Sequence, residues 1–224
     1  MKLSVKNLDV HYAKLDNFKY LEEASGLFKG VLLDVGCGHM PYKGFILSSL
    51  KSVTCYIGLD LRNNIYGIVP DLEWDGMTIP MVANSVGTVI ATQFLEHHPM
   101  PTLVLREMYR VMEPSAILFL TVPFIWPFHD VPTDQYRFTP FALSRLLQET
   151  GFTDIKVNPY GGWDASLSTM LGLWVRRRNL SRSIRLLLSW TLMPVIWLLH
   201  KIDNPPSEFY ESTITQGLWA TCSK

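Results

Sequence analysis

The chain alternates short apolar runs with polar turns, and the runs follow two periods. Val31, Leu32, Leu33 and Val35 form a run apolar on both side-chain rows, as in a parallel strand covered on both faces. Gly36 and Gly38 follow at once, and residues 42–50 read as a helix, with Pro41 suited to its first turn. Residues 55–60 predict a second strand, 68–69 a short third, 88–95 a fourth and 116–122 a buried fifth. From Pro101, Leu103, Leu105, Met108, Val111 and Met112 recur at helical spacing. Thr139 as N-cap, Pro140 as first helical residue and Gly151 as stop bracket another helix over 140–150. Residues 152–157 and 218–222 read as sixth and seventh strands, and Phe18, Leu21, Leu27 and Phe28 predict a helix face ahead of the first strand. Strands alternating with helices at this rhythm predict an α/β fold with a parallel sheet.

Composition narrows the class. The 224 residues, 48% hydrophobic, suit one domain, with a lead-in over 1–29 and a partly apolar helical insertion over 163–210. Twenty basic residues balance twenty acidic ones, which argues against nucleic-acid binding. Cys37, Cys55 and Cys222 are odd in number and far apart, which fits a reducing, cytoplasmic setting and argues against a zinc site or disulfides. The first residues are polar and charged, without the apolar core of a signal peptide.

One segment departs from the even charge. Arg176, Arg177, Arg178, Arg182 and Arg185 precede an apolar run over 186–199. Those 14 residues would make a helix of ~21 Å, short of a hydrocarbon core of ~30 Å, and Pro194 would bend it. The run is therefore not expected to span a bilayer. Two readings stay open: a helical cover over the active site or a dimer partner, or an interfacial helix whose arginines meet anionic lipid.

The candidate chemistry begins at the glycine turn. Asp34, Gly36 and Gly38 suit a ligand that approaches main-chain atoms and offers a cationic amine to Asp34. The G-x-G-x-x-G pattern of dinucleotide sites fails, because its third position is Pro41. Asp60, at the second strand's end, is placed for ribose hydroxyls, and Asp75, ahead of the competing Asp71, for an exocyclic amine. Residues 123–140 form a long polar-aromatic loop after a strand's carboxyl end, where open α/β sheets bind ligands. It carries His129 and Asp134, a base and the carboxylate that would orient it; His97 with Glu96 is the second such pair. Either histidine also reads as a structural loop residue. Tyr136, Arg137 and Trp126 are candidates for holding a polar or anionic substrate, and Arg137 equally reads as a loop brace. Cys37 reads as a small packing residue in the turn.

These residues stand in an ordered series of motifs. Asp34-Val-Gly-Cys-Gly-His-Met-Pro-Tyr-Lys43, Tyr56-Ile-Gly-Leu-Asp60 and Asp75-Gly-Met-Thr-Ile-Pro80 are followed by Gln93-Phe-Leu-Glu-His97 and Glu107-Met-Tyr-Arg-Val-Met112. Last come Pro123-Phe-Ile-Trp-Pro-Phe-His129 and Asp134-Gln-Tyr-Arg-Phe-Thr139. The series resembles the class I S-adenosylmethionine-dependent methyltransferases (type 11-like), over roughly residues 32–152 and the last strand. More narrowly, it is similar to a bacterial branch associated with surface-polysaccharide biosynthesis. The resemblance implies a Rossmann-like, doubly wound, seven-stranded sheet, mostly parallel with an antiparallel last strand. It implies S-adenosyl-L-methionine contacts at Asp34, Gly36, Cys37, Gly38, Asp60, Leu61, Asp75, Gly76 and Gln93. It also implies methyl transfer to a sugar hydroxyl of a glycan or lipid-linked precursor; a lipophilic acceptor such as a quinone is the runner-up. Met40 departs from the motif's last glycine, Gly87 from a usual Asp, and Ser115-Ala116 from a usual Gly-Gly. Loss of an Asp at 87 would weaken the floor of the site, and a catalytically silent cofactor-binding partner protein is the alternative from another class.

Overall fold

The first strand, β1 (Gly30–Val35), buries Leu32, Leu33, Asp34 and Val35 almost completely, as a central strand must. The computed structural model describes residues 2–64 and 66–224. β1 pairs in parallel with β2 (Val53–Leu61) on one side and β4 (Val86–Thr92) on the other. β3 (Leu72–Trp74) adds beyond β2 and β5 (Met112–Pro123) beyond β4, both parallel. With β6 (Thr153–Tyr160) and β7 (Gly217–Ser223) the sheet order is β3-β2-β1-β4-β5-β7-β6.

β7 runs antiparallel to β5. Ser115 donates to the Lys224 carbonyl at 3.2 Å at one end, while Phe124 donates to the Gln216 carbonyl at 2.9 Å at the other. The fold is thus the Rossmann-like sheet, mostly parallel with an antiparallel last strand. From β1 the chain winds outward through β2 and β3, then returns to β4 on the opposite side of β1. The reversal leaves a crevice at the carboxyl ends of β1 and β4, where such sheets bind ligands.

Among the described residues the chain forms six α-helices. α3 (Pro101–Val111) buries Leu105, Met108 and Val111 of the face read in the sequence and adds Val104, whereas Leu103 is only half-buried and Met112 already opens β5. α4 (Pro140–Thr150) keeps the expected caps: Thr139 Oγ1 accepts from the Ala142 N–H at 3.2 Å, and Gly151 closes it at φ +106°. α1 (His11–Ala24), α2 (Lys43–Ser49), α5 (Trp163–Arg177) and α6 (Arg182–Ile202) complete the set.

The chain resolves into two compact units. The larger holds residues 20–123, 127–157 and 219–224, and the smaller holds 1–19, 124–126 and 158–218. In the smaller unit Leu8, Tyr12 and Ile196 form a core, with Leu3, Leu171, Leu192 and Met193 packed against it. Gly172 permits this, because a Cβ there would lie 2.3 Å from the Leu8 carbonyl oxygen. Asp203 ends α6 and accepts the Gly162 and Ala165 N–H groups at the start of α5, at 2.8 and 2.9 Å, so α5 and α6 form a closed hairpin.

Four expectations are corrected. The third strand is Leu72–Trp74, not 68–69: Asn64 Nδ2 donates to the Ile68 carbonyl at 2.7 Å, holding that stretch in a loop, and Val69 is 79% exposed. The lead-in helix stops at Ala24, leaving Leu27 outside it and exposed, although Leu21 and Phe28 are buried. Pro41 precedes α2 rather than opening it, because the turn bond from Met40 N–H to Cys37 carbonyl (2.7 Å) occupies the preceding residues. α6 has 21 residues, ~31 Å, because Ser181 caps it ahead of Arg182 and Arg185 and it continues past Leu199; by length and composition alone it reaches a membrane-crossing helix.

Candidate functional site

The turn after β1 is built by backbone conformation. Gly36 and Gly38 have φ of +72° and +46°. A Cβ on Gly36 would come within 2.3 Å of the Phe94 ring, and one on Gly38 within 3.0 Å of the Tyr66 ring. Met40 takes φ +50°, so methionine keeps the left-handed conformation that the related motif gives to glycine.

Two acids organise this turn. Asp60, at the end of β2, accepts the Gly38 N–H at 2.9 Å and the Leu61 N–H at 2.7 Å, one on each carboxylate oxygen. Each oxygen keeps a further lone pair for a hydroxyl donor. Asp34 is fully buried and accepts the Tyr56 hydroxyl on Oδ2, whereas its Oδ1 has no hydrogen-bond partner among the described residues. Burial pushes the Asp34 carboxyl up to about 7, against the pull of the Tyr56 bond. An orphaned buried carboxylate oxygen is a position that a cationic amine would satisfy. Cys37 is buried, and burial first, then Asp34, Asp60 and Asp71, pushes its thiol up to about 12; this is the packing residue expected.

The other cofactor candidates line the carboxyl ends of neighbouring strands. Asp75 Oδ1 accepts the Met77 and Thr78 N–H groups at 2.8 Å each, and these bonds hold its carboxyl below the usual range. Asp71 instead accepts Lys43 Nζ at 2.7 Å and the Gly58 N–H at 2.9 Å, bracing α2 to β2. Gly76 has φ +82°, lies against Leu61, and its carbonyl meets His98 Nε2 at 2.7 Å. Gln93 has φ +51° and is clamped by Thr121, its N–H and Nε2 both 3.1 Å from Oγ1.

The two histidine pairs predicted separately converge into one cluster. The Glu96 carbonyl accepts the Gln135 and Tyr136 N–H groups at 2.9 and 3.1 Å, which straps the long loop to the turn at Leu95–His97. The His97 and His129 rings then meet edge to face, with centroids 4.7 Å apart. His129 Nδ1 lies 3.2 Å from Asp134 Oδ2, off the angle of a hydrogen bond. Asp134 is chiefly the bidentate partner of Arg137, at 2.6 and 2.8 Å, and that guanidinium holds its carboxyl down at about 2. His97 Nε2 lies 3.8 Å from Glu96 Oε1 and 4.0 Å from Asp130 Oδ2. Burial, then the neighbouring His129, lowers the His97 pKa, so the ring is neutral at pH 7. Glu96 is fully buried, neither carboxyl oxygen has a hydrogen-bond partner among the described residues, and burial pushes it up to about 8.

Glu96, His97 and His129 each bring one donor atom within 4.8 Å of the others. The substrate candidates are engaged locally. Arg137 also donates to the Tyr136 carbonyl at 2.7 Å, which makes it a brace, and the Tyr136 hydroxyl donates to the Pro99 carbonyl at 3.0 Å. Trp126 belongs to the smaller unit. Tyr56, Phe94, His98, Thr121 and Asp130 escaped sequence reasoning; only Tyr56 and Phe94 fall inside motifs quoted above.

Two of the departures lie away from this edge. Gly87 sits at the amino end of β4, where a Cβ would be 2.5 Å from the Lys29 carbonyl oxygen; an Asp there would clash, and no floor of the site is lost. Ser115, at φ +62°, lies near the amino end of β5 and bonds the Lys224 carbonyl.

Residues 33–120 match the family model described as a methyltransferase domain. A SAM-dependent methyltransferase of Archaeoglobus fulgidus aligns at TM-score 0.59 and 18% identity, over 95% of this chain and 94% of that one. One from Thermotoga maritima aligns at 0.59 and 14%, over 96% and 91%. Phosphoethanolamine N-methyltransferase 2 of Haemonchus contortus, solved with S-adenosyl-L-methionine, aligns at 0.55 and 12%, over 100% and 60%. These likenesses establish the fold; no curated protein matches the sequence significantly. With the domain match, they support a SAM-dependent methyltransferase with S-adenosylmethionine as its cofactor.

Proposed function

We propose that the protein methylates a sugar hydroxyl of a surface-glycan or lipid-linked precursor. The observation that carries hydroxyl chemistry is the His97–His129 contact, with one ring neutral and a carboxylate beside the other. The motif resemblance of the 123–140 loop supports a glycan acceptor.

The cofactor, when bound, supplies a methyl group on a sulfonium. The chain's residues hold and align it: the Asp34 Oδ1 vacancy takes the amine, Asp60 the ribose hydroxyls, Asp75 the adenine amine, and Gly36 and Gly38 give backbone access. A hydroxyl attacks well only as its proton leaves. His129 accepts that proton, the ionised Asp134 stabilises the resulting imidazolium, and His97 restrains the ring.

The test is methyl-labelled S-adenosylmethionine with a panel of nucleotide-linked and lipid-linked sugars, read by mass spectrometry. A methyl ether on a sugar, lost in His129→Ala, is expected. Transfer to a quinone and to no sugar would replace this reading with the lipophilic-acceptor one, and cofactor binding without transfer to any acceptor would replace it with a silent partner.

A further inference from the structure

The α5–α6 hairpin inverts the usual placement of apolar side chains. On α5, Trp163, Leu167, Met170 and Trp174 follow at helical spacing and form a stripe 42–61% exposed. Along its 21 residues α6 buries only Ser189 and Ile196, leaving Leu187 63% and Trp190 59% exposed. Contiguous exposed apolar faces of this kind mark an interaction surface.

Charge identifies the partner. Residues 163–202 carry six Lys and Arg against one Asp, a formal +5, in a chain that is neutral as a whole. Asp9 pairs with Arg177 at 2.8 Å and Arg176 at 3.9 Å. Arg178 lies over the Trp174 ring at 4.1 Å, and Lys201 over Trp197 at 4.9 Å. Tryptophan beside a cation suits the headgroup boundary, where the ring sits among acyl carbons and the charge reaches phosphate. A second copy of the chain would instead bring two +5 faces together, which like-charge repulsion opposes.

We propose that the α5–α6 hairpin docks in the plane of an anionic membrane surface, with its apolar stripes at the headgroup–acyl boundary and Arg178, Arg182 and Lys201 on lipid phosphates. α6 is long and apolar enough to cross a bilayer, but topology opposes a single crossing. Asp203, directly after α6, bonds the start of α5, and β7 further on lies in the sheet beside β5. The start of α5 and the end of α6 therefore lie on the same side. A crossing hairpin would carry Arg176–Arg178 and Arg182 to the far side, against the retention of basic loops, and α5 would bring Ser166, Ser168 and Thr169 with it. This inference does not depend on the acceptor.

The test is flotation of the full chain with vesicles of phosphatidylcholine, alone or mixed with phosphatidylglycerol, at low and raised salt. Binding to the anionic vesicles, weakened by salt and released by carbonate, is expected. Arg178→Gln with Arg182→Gln should reduce partitioning roughly thirtyfold, since each neutralised charge costs about fivefold. Leu187→Ser with Trp190→Ser should reduce it at both salt concentrations, with the circular dichroism spectrum unchanged. Absence of flotation, equal binding to both vesicles, or resistance to carbonate would overturn the proposal. A dimer broken by Leu187→Ser in a chain that ignores vesicles would assign the face to a second copy.

Discussion

The sheet's carboxyl edge and the α5–α6 hairpin break the inside–outside rule in opposite senses. At the edge, Asp34 and Glu96 are buried with carboxyl oxygens that have no hydrogen-bond partner among the described residues. On the hairpin, Leu187 and Trp190 are more than half exposed. Both arrangements cost free energy in an isolated chain: the first through desolvated polar atoms, the second through apolar surface left in water. Neither is a packing failure elsewhere, because α3 in the same chain buries Val104, Leu105, Met108 and Val111 completely. On the readings proposed above, each exception marks a place where a molecule outside the chain would complete the structure, a charged one at the edge and an apolar one at the hairpin.

The largest effect belongs to the polar exception. His129→Ala should lower the methyl-transfer rate by about a hundredfold to ten-thousandfold, with cofactor binding intact. An unchanged rate would reduce the histidine contact to loop packing.

Next comes a paired substitution that sharpens the contrast between helices. Leu105→Ala on α3 should cost about 2–5 kcal/mol in urea unfolding, because it opens a cavity in a closed core. Leu187→Ala on α6 should stay within ~0.5 kcal/mol in the absence of lipid. Equal costs would mean that the exposed face is covered in solution.

Asp34→Asn separates function from stability. Asparagine removes a carboxyl that burial penalises, so the variant should be ~1–4 kcal/mol more stable than wild type at pH 8. It should also bind S-adenosylmethionine at least ~10-fold more weakly, since a charge-assisted bond to the amine is lost. A destabilised variant would show that Asp34 is needed for folding.

A further effect is the pH dependence of stability. Asp34 and Glu96, and Asp16 in the smaller unit, are raised by burial to about 7, 8 and 7. The folded chain therefore holds protons that the unfolded chain releases near pH 4, and stability falls as pH rises toward about 8. His200, lowered by burial to about 4, opposes this only below its ordinary value of 6.5. The net fall is clearest between about pH 6.5 and 8, and urea midpoints at those two values measure it. A midpoint that rises over this interval would contradict the buried-acid description.

Legibility in the sequence followed how local each cause was. β1, α3 and α4 were readable because an apolar run, a 3.6-residue period and a Thr-Pro…Gly cap pair each act within a few residues. β3 was misplaced because Ile68 and Val69 look like a strand, whereas pairing with Leu59–Leu61 is made by Leu72–Trp74. At the site, candidate residue types could be named, but not their partners. His97 and His129 are 32 residues apart, and contacts such as the Glu96 carbonyl strap bring them together. The same holds for Asp34 with Tyr56, and for Arg137, whose guanidinium turns to Asp134 instead of outward. Gly87 looked like a defect because its neighbour, the Lys29 carbonyl, is invisible in a one-dimensional motif.

The central claim is that the carboxyl edge holds S-adenosylmethionine, with Asp60 joining the glycine turn to the ribose position. Calorimetric titration of the cofactor into wild type and Asp60→Ala tests it most directly. The account predicts micromolar binding to wild type and its loss in a variant that remains folded. No heat from a folded wild type, or equal binding by both proteins, would contradict it.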